Sequence, residues 1–168
     1  MYIAPKLIPN NVYSILMNDW DEEISGLFIA EGTHWILLHD NPSDFVVDGF
    51  RFVLKKNIDE IIEDEDTAFK NAVFNKKYTS LPKYDSHNLN GLDSVLKDFQ
   101  DNEILLHFDT DDAEEIVVGK ITSVTSDSFT IKTISQYAEW EGESKIGISE
   151  VSSIAISNDY LNSLSLFI

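Results

Sequence analysis

Two stretches of this chain run in the same apolar phase 93 residues apart, and that internal repeat limits the possible folds more than any motif does. Setting Gly26 on Gly119 carries Asp19 onto Asp112, Glu22 onto Glu115, Gly49 onto Gly142, Ile61 onto Ile154 and Phe74 onto Phe167, with no gap. Only seven of the 66 residues aligned from Asn10 to Asn75 are identical, so the repeat is one of pattern: shared apolar positions, glycines at matching corners and matching acidic turns. Each copy has an apolar strand, an acidic turn, a strand containing glycine, a polar turn, an alternating strand, a loop closing on glycine, and two short strands. Five short strands per copy suit a small barrel. Gly26 and Gly119 fall inside strand patterns, where glycine marks a bend, a bulge or a close backbone approach.

Residues Met1 to Asn11 contain Pro5 and Pro9 and read as extended or irregular, and Val12 to Met17 is the first strand. Ile24–Ala30 and Trp35–His39 form a hairpin about Glu31, Gly32 and Thr33. In that second strand Trp35 faces away from Ile36 and Leu38, which places it between the two halves. Phe50–Leu54 and Ile58–Ile62 close the first unit. Ala68, Phe69, Ala72 and Val73 recur at helical spacing after Asp66 or Thr67 as a cap. Residues 75–90 combine a basic bias with Pro82 and turn formers, marking a linker. Leu92, Val95, Leu96 and Phe99 then make one face of a helix from about Gly91 to Gln100, leading into a strand from Glu103 to Phe108. In the second unit, Phe129, Ile131 and Ile134 alternate with Thr130 and Lys132, as a half-buried strand requires. Tyr160 to Ile168 carries both helical and strand periodicity, because Ser163 and Ser165 alternate with leucines.

The run Gly119-Lys120-Ile121-Thr122-Ser123-Val124-Thr125-Ser126-Asp127-Ser128-Phe129 resembles the first motif of the Sm-like group of SH3-like small barrels: a strand glycine, spaced apolar residues and an aspartate. Ile148–Ile154 stands in the place of that family's second motif. The resemblance covers about 65 residues of the second unit, strongest over Glu103–Ile156, and more faintly the first unit. It implies a helix followed by five bent strands. The Arg-Gly pair and the RNA-contacting asparagine of the RNA-binding members are missing, so it implies fold and not RNA binding. The expected class is therefore mainly β with a few short helices, as two tandem small barrels packed by their helices: residues 1–80, a linker at 81–90, and residues 91–168.

Thirty acidic against twelve basic residues leave a formal charge of −18 over 168 residues, a field that repels phosphate backbones and anionic headgroups. Neither nucleic acid nor membrane is expected as a partner. No apolar run approaches a membrane span, and the first residues lack a basic start followed by an apolar core, so a cytoplasmic location is the expectation. The absence of cysteine removes disulfides and thiol chemistry.

The charge is clustered at Asp19–Glu23, Asp59–Asp66, Asp109–Glu115 and Glu139–Glu143. Asp109, Asp111, Asp112, Glu114 and Glu115 would suit a hard cation by number of carboxylates, yet they lack the glycine and distant glutamate of a calcium loop. They fit better a solvated hairpin turn, echoed by Asp19–Glu23, with a patch that steers a basic partner as the third reading. His34, His39, His87 and His107 have no HxxxH spacing, no serine lies in a Gly-x-Ser-x-Gly elbow, and no phosphate-cradling glycine loop exists. No catalytic residue, cofactor or metal site is therefore expected. Trp140, flanked by Glu139, Glu141 and Glu143, and Trp20, beside Asp21 in the first acidic turn, fit either interface anchors or caps on a core. The function expected is a non-catalytic acidic binder, a bacterial-type immunity or inhibitor protein that masks a basic toxin such as a nuclease. An adaptor module in a larger assembly, or a metal-dependent hydrolase built on Asp109–Glu115, are the alternatives, with RNA binding last.

Overall fold

The computed structural model describes residues 5–18, 23–84, 88–110 and 116–168. The chain is mainly β, and the described residues form ten antiparallel strands in one sheet and three short α-helices. The first half supplies β1 (Val12–Met17), β2 (Glu23–Glu31), β3 (Trp35–Asp40), β4 (Phe50–Leu54) and β5 (Ile58–Ile62), followed by α1 (Glu65–Lys77). The second half opens with α2 (Ser94–Asp101) and continues with β6 (Leu106–Thr110), β7 (Ile116–Val124), β8 (Ser128–Ile134), β9 (Trp140–Gly147), β10 (Val151–Ile156) and α3 (Asp159–Leu164). Hydrogen-bonded neighbours run β5-β1-β2-β3-β4-β10-β6-β7-β8-β9.

The offset of 93 seen in the sequence holds in the strand registers. Tyr13 lies opposite Gly26 as Leu106 lies opposite Gly119. Phe28 faces Leu38 as Ile121 faces Ile131, and Leu16 faces Glu60 as Asp109 faces Ser153. The register shifts at Phe28/Ala30 and again at Ile121/Ser123, so even the bulges repeat. The two strand glycines have one cause. A Cβ on Gly26 would sit 2.7 Å from the carbonyl oxygen of His39, and one on Gly119 would sit 2.1 Å from that of Lys132. Each bend brings the second strand of its half hard against the third, and only a hydrogen fits between.

The halves meet strand to strand rather than through helices alone: β4 pairs with β10, with Val53 opposite Ser153 and Phe50 opposite Ile156. This pairing makes β3 and β4 central, and all six residues of β3 are buried. Burial on both faces is why Trp-Ile-Leu-Leu reads as a continuous apolar run. Ile36 and Leu38 pack into the first half against Ile15, Phe28 and Ile61, while Trp35 and Leu37 join Val95, Leu96, Phe99, Phe108 and Ile154 on the other side. Trp35 thus lies between the halves as its phase indicated, and its indole N–H donates to the Leu92 carbonyl at 3.2 Å.

The helices cover what the sheet leaves bare. In α1, Asp64 caps the N-terminus by accepting the Thr67 N–H, and Phe74 packs on Val12 and Leu27. The apolar stripe of α2, Val95, Leu96 and Phe99, is fully buried. The C-terminal segment resolves as helix: Asn158 accepts the Leu161 N–H, and Leu161 and Leu164 bury against Leu105 and Ile134. A 3₁₀ turn follows at Ser165–Phe167. The segment expected as a linker is bound into the first half, since the Leu89 carbonyl accepts the N–H groups of His34 and Trp35, each at 3.2 Å. Among the described residues no helix is long and apolar enough to cross a membrane.

Candidate partner-binding face

The β8–β9 hairpin projects two exposed aromatic residues, Tyr137 and Trp140. Its turn is organised by Ser135, whose Oγ accepts the N–H groups of Tyr137 and Glu139, both at 3.2 Å. The Ser135 N–H donates to the Glu139 carbonyl at 2.9 Å, and Ala138 takes a left-handed backbone with φ 61° to close the loop. The turn so fixed holds Tyr137 outward, 77% exposed. Beyond it the register shifts at Thr133/Ile134 and sets Trp140 opposite Ile134. The Trp140 ring is 40% exposed and carries the Lys132 ammonium 4.7 Å from its centroid, so the ring is oriented by a cation–π contact.

Lys132 lies opposite Glu143, which places Glu143 on the same face of the sheet as Trp140. That face borders an open groove of about 790 Å³ between the hairpin, β7 and α3. Ile116, Val118 and Ile134 form its apolar floor, while Tyr137, Tyr160 and Glu141 stand among its walls. Glu139 also lines it, and Glu139, Glu141 and Glu143 are all exposed. The arrangement combines an apolar floor, an aromatic rim and exposed carboxylates across the hairpin, β7 and α3. It offers a cation both Coulomb attraction and ring faces.

At the groove's inner end His107 is pushed below its ordinary value, first by burial and then by the charge of Arg51, with Asp109 and Asp40 opposing. Arg51 itself is the clasp between the halves. Its Nε and Nη2 donate to the two oxygens of Asp40 at 2.9 and 3.0 Å, while Nη1 donates to Asp109 at 2.9 Å and to Ser153 Oγ at 2.7 Å. Ser153 in turn donates to Asp109 at 3.1 Å.

This network changes the standing of one expected site residue. The Asp109 side chain is only 14% exposed and is committed to Arg51 and Ser153, so it holds β4, β6 and β10 together instead of presenting a free charge. Trp140, Glu141 and Glu143, expected in a loop between strands, lie instead on β9. Asp111, Asp112, Glu114, Glu115, Trp20 and Asp21 lie outside the described residues. Sequence reasoning missed Tyr137, Tyr160 and Ile116. Their signal was faint but present, because each is a large ring or apolar side chain beside polar residues, in a turn for Tyr137, at a strand start for Ile116 and in the first turn of α3 for Tyr160. Compared with known proteins, the chain matches no family model, no curated protein and no solved structure.

Proposed function

We propose that this chain is a non-catalytic acidic binding protein that docks a basic protein on the β8–β9–α3 face, in the manner of an immunity or inhibitor protein masking a toxin such as a nuclease. The observation that carries the reading is the grouping of Tyr137 and Tyr160 with exposed Glu139 and Glu141 around one groove, with Trp140 and Glu143 exposed beside it on β9. Aromatic rings with one wet edge are the side chains that anchor interfaces, and carboxylates beside them select and steer a cationic surface. A formal charge of −18 extends that attraction beyond contact range. A nuclease active site is built to hold phosphate, and carboxylates at the end of a rigid hairpin can occupy the same positions. A cytoplasmic setting belongs to the same proposal, as does a reading of each half as an Sm-like small barrel. The latter is supported by the strand order β5-β1-β2-β3-β4 and its repetition in the second half.

The test is capture from native lysate on immobilised protein at low salt, with a salt gradient for elution. A basic toxin-like protein released as salt rises supports the reading. A partner that survives high salt favours the adaptor alternative, for which the exposed Leu166 and Phe167 beside α3 are the specific motive. No basic protein on the resin would count against charge-led binding.

A further inference from the structure

We infer that the partner engages this face by adding an extended, basic segment as a strand on the outer edge of β9, a mode that rests on the acidic-binder reading above. The repeat provides the template. The matching edge in the first half is that of β4, and it is occupied: β10 lies along it antiparallel, with Phe50 opposite Ile156, Phe52 opposite Ile154 and Val53 opposite Ser153. The offset carries Phe50–Val53 onto Glu143–Ile146 of β9, which among the described residues is a terminal strand with no neighbour on that edge.

A glycine pair marks the same difference. At Gly49, just before β4, a Cβ would lie 2.4 Å from the Ile156 carbonyl oxygen and 2.7 Å from the Asn158 nitrogen, so the chain laid on this edge calls for glycine there, as does the left-handed backbone at φ 76°. Its counterpart Gly142 has nothing within 4 Å of a built Cβ. The edge has the close-approach residue and lacks the chain that would approach it.

A second copy of this chain is a poor occupant. Its β5 is the repeat counterpart of β10, and the equivalent register would set Glu63 directly opposite Glu143, a like-charge pair. Arg51, which clasps the internal junction, is replaced at the matching position by Ser144. Asn57 Nδ2 donates to the carbonyls of Ser149 and Val151 across the junction, and its counterpart Glu150 has no side-chain amide to take that part. A strand with lysine or arginine at two alternate positions and a neutral residue at the next, opposite Lys145, instead places cations against Glu141 and Glu143. Its intervening residues would lie over the open space at Gly142.

The experiment uses the full chain and an acetylated, amidated eight-residue peptide with lysine at two alternate positions and neutral residues elsewhere, with an N-methylated version as control. N-methylation keeps charge and side chains but removes backbone donors. The expected result is binding at low salt, with hydrogen exchange slowed across β9. N-methylation and, separately, Gly142→Val should each weaken binding by about tenfold, the loss of one or two backbone hydrogen bonds or of close approach. Gly142→Val leaves the fold intact because its side chain enters empty space, which unfolding midpoints verify. Equal binding of both peptides, unaffected by Gly142→Val, overturns strand addition while leaving charge-led docking in place. No binding of either peptide overturns both. Slowed exchange in β9 that grows with protein concentration and no peptide gives the edge to a second copy, and also overturns the proposal.

Discussion

Single residues decide two tight points of the molecule. A methyl group at Gly119 would meet a backbone carbonyl at 2.1 Å, which cannot swing aside as a side-chain tip would. Gly119→Ala should therefore cost at least about 2 kcal/mol, in the range of overpacked cores, and more than Gly26→Ala, where the gap is 2.7 Å; urea unfolding of both variants measures the difference. Arg51 is the second point. Arg51→Met leaves Asp40 and Asp109 facing each other without their cation, at a cost of about 3–5 kcal/mol by the same assay. Arg51→Lys should recover only part of this, since an ammonium cannot grip both oxygens of Asp40 in a fork. His107 sets the sign of a pH effect. Its folded pKa lies below the unfolded 6.5, so below that value the unfolded chain binds more protons and stability falls with pH. Buried His39, lowered in the same way, acts in the same direction. Unfolding free energy measured between pH 7.5 and 5.5 should decline less steeply in His107→Gln than in the natural chain, with the gap bounded by about 1.4 kcal/mol per pH unit.

At the scale of elements, the strands and the β2–β3 hairpin were largely legible and the pairing of β4 with β10 was not. Phe50–Leu54, Ile58–Ile62 and Ser128–Ile134 begin and end where alternation and flanking turn residues place them. The strand expected from Glu103 starts at Leu106, because α2 runs to Asp101 and Glu103 takes a left-handed backbone, φ 50°, to turn the chain. The C-terminal helix was ambiguous for a physical reason. Leu161 and Leu164 lie three apart and Leu164 and Leu166 two apart, so both periods are present, and only contact with Leu105 and Ile134 selects the helix. The candidate face shows the same division. Trp140, Glu141 and Glu143 were visible as a loop rich in charge around a ring. The groove beside them was not, because it depends on α3 folding back beside Ile134 and carrying Tyr160 with it. Nor could spacing reveal that Asp109 would be consumed by an arginine 58 residues earlier.

For the whole molecule, the junction makes the two halves interdependent despite their repeated pattern. Trp35 and Leu37 of the first half and Ile154 and Ile156 of the second belong to one buried cluster, and Leu89 ties the connection between them to the β2–β3 hairpin. Residues 1–80 alone would expose Trp35, Phe50 and Phe52 along with the bare edge of β4. Expressed separately, each half should be aggregated or unfolded by circular dichroism and light scattering, while co-expression restores one soluble complex. A soluble, cooperatively folded first half would instead mean that the shared cluster adds little. The junction leaves the β8–β9 hairpin and its carboxylates at the far end of the sheet, and the central claim is that this end does the binding. The most direct measurement is hydrogen exchange on the protein mixed with the basic partner eluted from the affinity resin, compared between the natural chain and Glu139→Lys/Glu141→Lys/Glu143→Lys. Slowed exchange should concentrate in 134–147 and around Tyr160, and should disappear in the triple variant while its unfolding midpoint stays unchanged. Protection centred elsewhere, or binding that survives the charge reversal, would contradict the account.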